Sequence, residues 1–332
     1  MDVLPITLLT GFLGSGKTSL LRRLIHQPGF ARCAVIVNEF GEVGLDQALV
    51  ADQSDDRDIQ LLDSGCLCCL ASSAIQDTLG SLYYRRLRGE IPEFDRVLIE
   101  TSGLAEPGPI INAVYGDATL ARQYRFGGIV TTFDAGFGQA DIQAYAEAKT
   151  QLLMADTVVL TKLDRYPEAG DLAGWIAQMN PAARICGNNL PDARLAQLLL
   201  DPATDEPLAA RYEPAGKARP PSALRHLLAY GIHSVTVDIP GPVAWPAWAA
   251  FVHEVQRTFA DRLLRLKGVL AFAGEGRMAV HAVHHMFSPP EPAHSVPASL
   301  VGKLVFIVRD MEREEVSHAV RHLNAGTADD GP

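Results

Sequence analysis

An α/β domain with a mostly parallel sheet, followed by a small α+β domain, is the fold class this sequence predicts, and three observations predict it. Short apolar runs recur at intervals long enough to hold a helix, the pattern G-x-x-x-x-G-K-[ST] follows the first of them, and the alternation stops near residue 200. Strands buried on both faces of a parallel sheet read as continuous apolar runs rather than alternating ones. A length of 332 residues exceeds one ordinary hydrophobic core, so two domains are expected.

In chain order the expected strands are PITLLT (5–10), CAVIVN (33–38), IQLLDSG (59–65), RVLIET (96–101), GGIVTTF (127–133), DTVVLT (156–161) and ARICG (183–187). Helices fill the intervals and cover both sheet faces. These elements make a first domain over 1–200. The stretch DPATDEPLAARYEPAGKARPP (201–221) is rich in Pro and charge, which reads as a linker over 201–223. A second domain over 224–325 follows, with HSVTVDIP, AWPAWAAFVHEVQRTF, GVLAFA, RMAVHAVHHMF, KLVFIVRD and EREEVSHAVRHLN read as strand, helix, three strands and helix. The tail 326–332 is expected to be disordered.

A net charge of −10 argues against nucleic acid as a partner, because phosphate neutralisation needs Lys and Arg. No apolar run reaches the ~18 to 20 residues of a membrane helix, and the N-terminal VLPITLLTGFLG lacks a basic start and a small-residue cleavage site. The expected location is cytoplasmic, without membrane attachment. Three of the five cysteines fall within GCLCC, residues 65–69. In a reducing compartment such a cluster points to metal binding or redox chemistry rather than a disulfide.

The first chemistry-bearing run is GFLGSGKTS, Gly11 to Ser19. It lies after an apolar strand and before SLLRRLIH, as a nucleotide phosphate loop must. Gly11, Gly14 and Gly16 let the backbone curl so that N–H groups, with those of Ser15 and Ser19, surround phosphate oxygens at a helix N-terminus. Lys17 is expected at the β and γ phosphates and the Thr18 hydroxyl on Mg²⁺. In IETSGLAEP (99–107), Glu100 ends a strand where it can hold Mg²⁺ through water, and the Gly103 N–H can sense a γ-phosphate. In TKLD (161–164), the Asp164 carboxylate accepts from guanine's N1–H and exocyclic amine, whereas adenine offers a lone pair at N1; this favours GTP over ATP. Lys162 is expected along the base plane. Together these assign Lys17, Thr18 and Glu100 to catalysis.

The chain resembles the CobW-type GTPases, relatives of the urease and hydrogenase nickel-insertion GTPases. TGFLGSGKTSLL, NEFGEVGLD (38–46), GCLCC, ETSGLAEP, FDA (133–135), QLLMADTVVLTKLD and NPAARI carry the likeness, and GIHSVTVDIP, DRLLRLKGVLAF and HAVHHMF extend it into the C-terminal half. The resemblance implies a P-loop GTPase that couples GTP to delivery or sensing of a transition metal. Thr161 stands where relatives often have Asn, which weakens the expected cross-link from that residue to the phosphate loop. The chain also lacks the His-rich stretch that many relatives carry near the linker, so metal buffering is not the expected main role.

Thiolates are soft ligands suited to Zn²⁺, Co²⁺, Ni²⁺ or Cu⁺. Cys66 with Cys68 or Cys69, in an extended loop, could grip one ion, and an incomplete ligand set suits a transfer site. Glu39 and Glu42, in NEFGEVG after the second strand, are oxygen donors for Mg²⁺ or for the transferred metal, in a position where a nucleotide-responsive switch belongs. Cys33 and Cys186, each flanked by apolar residues, read as core. His281, His284 and His285 share one expected strand, and His318 and His322 one helix face; solvated or hydrogen-bonded histidines are expected at both places.

The resulting expectation is a GTP-hydrolysing metallochaperone or metal-insertion factor using GTP, Mg²⁺ and a transition metal, Zn²⁺ or Co²⁺ foremost. Its client would be a metalloprotein or an enzyme of metal-cofactor biosynthesis, and a homodimer is an assembly it could adopt. No Gln stands out as the residue orienting the attacking water, so intrinsic turnover is expected to be slow. The alternatives are a P-loop kinase or ATPase acting on a small molecule, and a nucleotide-gated metal sensor or sink with negligible turnover.

Overall fold

The computed structural model describes residues 3–38, 59–61, 67–70, 75–166, 171–202, 231–259, 262–293 and 300–324. By its internal contacts the chain divides into two units, Met1–Ala173 with Arg184–Ala203, and Gly174–Ala183 with Thr204–Pro332.

The first unit is built on β1 (Leu4–Thr10), whose LPITLLT is buried at all but one position. A strand apolar on both faces must lie inside a sheet covered on both sides. Then come α1 (Lys17–Leu24), β2 (Cys33–Asn38), β3 (Ile59–Leu61), β4 (Leu67–Leu70), α2 (Ile75–Leu87), β5 (Arg96–Thr101), α3 (Pro107–Gly116), α4 (Leu120–Gln123), β6 (Tyr124–Asp134), α5 (Gly138–Ala144), α6 (Ala146–Met154), β7 (Thr157–Thr161), α7 (Leu172–Met179), which from Gly174 onward groups with the second unit, β8 (Arg184–Gly187) and α8 (Asp192–Leu200). The strands line up as β3-β4-β2-β5-β1-β6-β7-β8. Every neighbouring pair is parallel except β3 with β4. Leu20, Leu21 and Leu24 of α1 pack with Leu9, Val35, Leu98, Val130 and Val159 of the sheet and with Leu195 and Leu199 of α8. Each fully buried Leu or Val contributes ~1.5 to 3 kcal/mol.

This order decides where a ligand can sit. From β1 the chain crosses to β2 on one side, and later to β6 on the other, so β1 lies at the point where the winding reverses. Open α/β sheets bind ligands beyond the carboxyl ends of the strands at that point. The loop after β1 is residues 11–16.

The second unit carries β9 (Ile232–Asp238), α9 (Trp245–Thr258), β10 (Leu263–Phe272), β11 (Gly276–Val283), β12 (Met286–Phe287), β13 (Glu291–Pro292), β14 (Lys303–Arg309), α10 (Arg313–Ala319) and α11 (Arg321–Asn324). Its antiparallel sheet runs β12-β11-β10-β14-β9, with β13 on β11. Alternate positions of these strands, such as Leu266, Leu270, Leu304 and Phe306, meet Trp248, Phe251 and Val255 of α9 in a core of their own. The helix expected at EREEVSHAVRHLN opens with a capping box in which Glu312 and Glu315 close the first turn of α10.

Two local expectations are corrected. The cysteine motif is not wholly a loop. Residues 67–70 form β4, with Cys68 opposite Val35 and Cys69 opposite Ile36 of β2, and the expected strand at 59–65 is described only as Ile59–Leu61, antiparallel to β4. LCCL is an apolar quartet, and cysteine serves as a small hydrophobe, so it can extend the sheet from β2. His281, His284 and His285 do not share one strand either. β11 ends at Val283, His284 takes φ 51 and its N–H bonds the Leu264 carbonyl, which turns the chain into β12.

Candidate nucleotide site

Gly11, Gly14 and Gly16 have φ of 142, 70 and 93, all left-handed values that cost an L residue strain. A Cβ on Gly11 would also lie 2.5 Å from the Thr132 carbonyl oxygen, so this glycine is required twice over. Gly16 caps α1, and the Ser15 N–H closes the loop on the Phe12 carbonyl at 3.1 Å. Lys17 opens the helix, buried, and donates its ammonium to the Gly11 carbonyl at 2.9 Å. Ser19 is exposed on the first turn of α1. Its expected contribution is its backbone N–H.

Thr18 Oγ1 donates to Glu100 Oε1 at 2.6 Å. Glu100 is 3% exposed at the end of β5. A hydroxyl and a carboxylate converging beside a phosphate loop are hard oxygen donors, the type Mg²⁺ takes, so the residues present fit that ion. Gly103 is buried two residues past β5, and a Cβ there would lie 2.8 Å from the Leu13 amide nitrogen. Only glycine lets this segment approach the phosphate loop so closely.

Four buried threonines at the carboxyl ends of adjacent strands hold this loop. Thr101 of β5 donates to Thr10 of β1 at 2.9 Å. Thr132 of β6 reaches the Thr10 carbonyl at 3.3 Å and shares a 2.7 Å hydroxyl contact with Ser15. Thr161 of β7 donates to the Ser15 carbonyl at 2.7 Å. This last bond is the cross-link from Thr161 to the phosphate loop.

At the base end Asp164 is exposed. Lys162, at φ 58, directs its ammonium to Asp134 Oδ2 at 2.6 Å. Asp134 is buried at the end of β6, and its Oδ1 accepts from the Gly136 N–H at 2.8 Å. Burial first, then the charge of Asp134, raises Asp141 above its ordinary 3.8, while Lys162 opposes the shift. Arg23 of α1 donates to the Asn188 carbonyl at 2.7 Å and to Asp192 at 2.8 Å, tying down the loop after β8 on the same edge. Asp134 appears in the sequence only within FDA, and Arg23 has no motif at all.

Cys66, Glu39 and Glu42 lie outside the described residues. Cys68 and Cys69 are placed by backbone alone, in β4. Among the described residues no group of three or more His, Cys, Asp or Glu could hold a metal ion, and no helix is long and apolar enough to cross a membrane.

Residues 5–187 match the CobW/HypB/UreG nucleotide-binding domain, and residues 232–324 match the cobalamin synthesis protein cobW C-terminal domain. The chain belongs to this CobW family. The resemblance expected from the sequence is borne out, as is the fold class, an α/β nucleotide-binding domain followed by a small α+β domain. Within the family, the chain is 32% identical over 334 residues to the zinc chaperone YjiA of Escherichia coli strain K12, spanning 97% of this chain and 99% of that one. It is 33% identical over 169 residues to the zinc-regulated GTPase metalloprotein activator 1 of Schizosaccharomyces pombe, spanning 49% of this chain and 40% of that one. The crystal structure of the Zn(II)-bound YjiA GTPase from E. coli superposes with a TM-score of 0.70 at 30% identity, covering 97% of this chain and 99% of that one.

Proposed function

We propose that this CobW-family chain is a GTP-hydrolysing metallochaperone that couples GTP binding and hydrolysis to the transfer of a transition metal, zinc first, to a client metalloprotein or metal-cofactor-biosynthesis enzyme in the cytoplasm. The relatives' names support the activity and the metal. One observation on this chain supports the coupling. Val37 of β2 stands opposite both Glu100 of β5 and Leu70 of β4. The cysteine strand therefore lies two strand spacings, ~10 Å, from the strand that delivers Glu100 to the phosphate loop. The chain leaving β2 carries Glu39 and Glu42, as a segment responding to both sites would.

In the proposed reaction a water oxygen attacks the γ-phosphorus in line, the bond to the β–γ bridging oxygen breaks, and GDP and phosphate leave, with the water's protons passing to phosphate and solvent. The Lys17 ammonium and the glycine-rich loop's N–H groups stabilise charge on the transferred group. Thr18 and Glu100 would hold Mg²⁺, which would supply neutralisation of the phosphate charge. Asp164 selects guanine. The soft thiolates of Cys66 with Cys68 or Cys69 would hold the cargo ion. Nucleic acid is no part of this role, and a homodimer is compatible with it.

Turnover and binding of GTP and ATP, with and without Zn²⁺, test the reading. GTP hydrolysis well above that of ATP is expected. Equal turnover of ATP would move the chain to the kinases and ATPases, and tight binding without turnover would make it a sensor.

A further inference from the structure

Helix α6 is buried from Ala148 to Met154, three polar residues among them: Lys149, Thr150 and Gln151. Gln151 is wholly buried and its amide is directed at the segment after β5. Both N–H bonds are committed, Nε2 donating to the Gly103 carbonyl at 3.1 Å and to the Ala105 carbonyl at 2.9 Å. Its Oε1 has no partner among the described residues. With both donors bonded, the buried amide is fixed in orientation by those two bonds.

The other contacts of α6 show what Gln151 is fixed to. The Thr131 hydroxyl of β6 donates to the Gln151 carbonyl at 2.9 Å, which locks the helix to the sheet. At the helix N-terminus Tyr145 stacks on Phe12 of the phosphate loop, ring centres 4.7 Å apart. The segment itself turns through an Ala105 N–H to Ser102 carbonyl bond of 3.1 Å and rests on Leu13 through Gly103. Helix α6 therefore touches both loops that would flank a γ-phosphate.

We infer that Gln151 is a positioning residue for GTP hydrolysis. By gripping the Gly103 and Ala105 carbonyls it presents the Gly103 N–H to the γ-phosphate, and it ties α6 to the nucleotide state. This rests on the GTPase reading above. Gln151 acts through the Gly103 and Ala105 carbonyls, so its effect is expected in the triphosphate state, since GDP lacks the group that Gly103 would face.

The experiment compares the full-length parent with Gln151→Met, which keeps length and removes both donors, and Gln151→Glu, whose carboxylate faces two carbonyl oxygens. Kcat for GTP is expected to fall about tenfold in the Met variant and further in the Glu variant. The preference for a non-hydrolysable GTP analogue over GDP falls with it, while GDP affinity stays within about twofold. A parallel loss of GDP affinity, or parent-like kcat in both variants, overturns the inference and leaves the GTPase reading standing. Absence of GTP hydrolysis by the parent overturns both. Hydrogen exchange on the unmodified protein needs no variant to fold: residues 145–154 are expected to gain protection with the GTP analogue relative to GDP, and equal protection would overturn the coupling.

Discussion

At the phosphate end of the candidate site the side chains that hold the loop are buried and bonded, whereas at the base end Asp164, the carboxylate proposed to select guanine, stands in solvent. Lys17, Ser15, Thr10, Thr101, Thr132 and Thr161 form one network across β5, β1, β6 and β7. The base end depends on the Lys162–Asp134 pair, partly open to solvent on the lysine side. The difference follows from what each end must recognise. Phosphate is read by backbone N–H groups, whose geometry only a rigid frame can fix, while a base edge is read by side chains that must reach outward.

Substitutions at the two ends should therefore fail in different ways. Lys17→Ala gives the largest effect. Nucleotide turnover should fall by on the order of 10² or more with the thermal midpoint little changed, as read by phosphate release and calorimetry; parent-rate hydrolysis would remove the phosphate-loop assignment. Asp164→Asn should lower GTP-over-ATP preference by about tenfold without loss of stability, because the residue is exposed and the amide puts a donor against guanine's donors. Competition binding reads it, and an unchanged ratio would place the base elsewhere. Thr161→Val keeps the shape and removes the bond to the Ser15 carbonyl, a cost of about 1 kcal/mol. Affinity for GTP and ATP should then weaken together, several-fold, with their ratio intact. A changed ratio would erase the distinction between the two ends.

The phosphate end was also the more legible in sequence. Glycine spacing, the Lys-Thr pair and the strand-to-helix context follow from covalent geometry and are written locally in residues 11–19. The threonine network was legible in retrospect: the apolar runs PITLLT, RVLIET, GGIVTTF and DTVVLT all carry a Thr at or near their ends, but only the sheet order brings those hydroxyls side by side. Gln151 was not legible, because its partners are backbone carbonyls 48 and 46 residues away and a carbonyl leaves no mark in sequence; Arg23 was not legible because the Asn188 carbonyl and the Asp192 carboxylate it bonds lie 165 and 169 residues away. The histidine strand was misjudged because HAVHHMF carries no Gly, Pro, Asn or Asp to mark a turn, while the positive φ at His284 that breaks it belongs to a residue type able to adopt either conformation.

The smallest expected effect sharpens the electrostatics of the base end. Asp141 has its folded pKa raised above 3.8, by burial first and Asp134 second. Its ionised form thus costs stability at neutral pH, and the cost is relieved as pH falls through the folded value. Asp141→Asn should stabilise at pH 7 by a few tenths of a kcal/mol, about what a partly exposed carboxylate allows. The gain should vanish below pH ~3.8. Thermal unfolding across that range measures it, and a gain independent of pH would assign the effect to packing.

The claim that joins the two functional halves is that the nucleotide state sets metal affinity. If a γ-phosphate brings Glu39 or Glu42 together with the cysteine motif, that motif binds Zn²⁺ more tightly in the GTP state, and by linkage Zn²⁺ favours GTP over GDP by the same factor. The direct measurement is Zn²⁺ competition against a chromophoric chelator in the presence of GDP and of a non-hydrolysable GTP analogue, repeated in Cys66→Ser and Cys68→Ser. The expected result is an affinity at least tenfold higher with the analogue, a coupling of about 1 to 3 kcal/mol, abolished in the serine variants. Equal affinity in the two nucleotide states would contradict it.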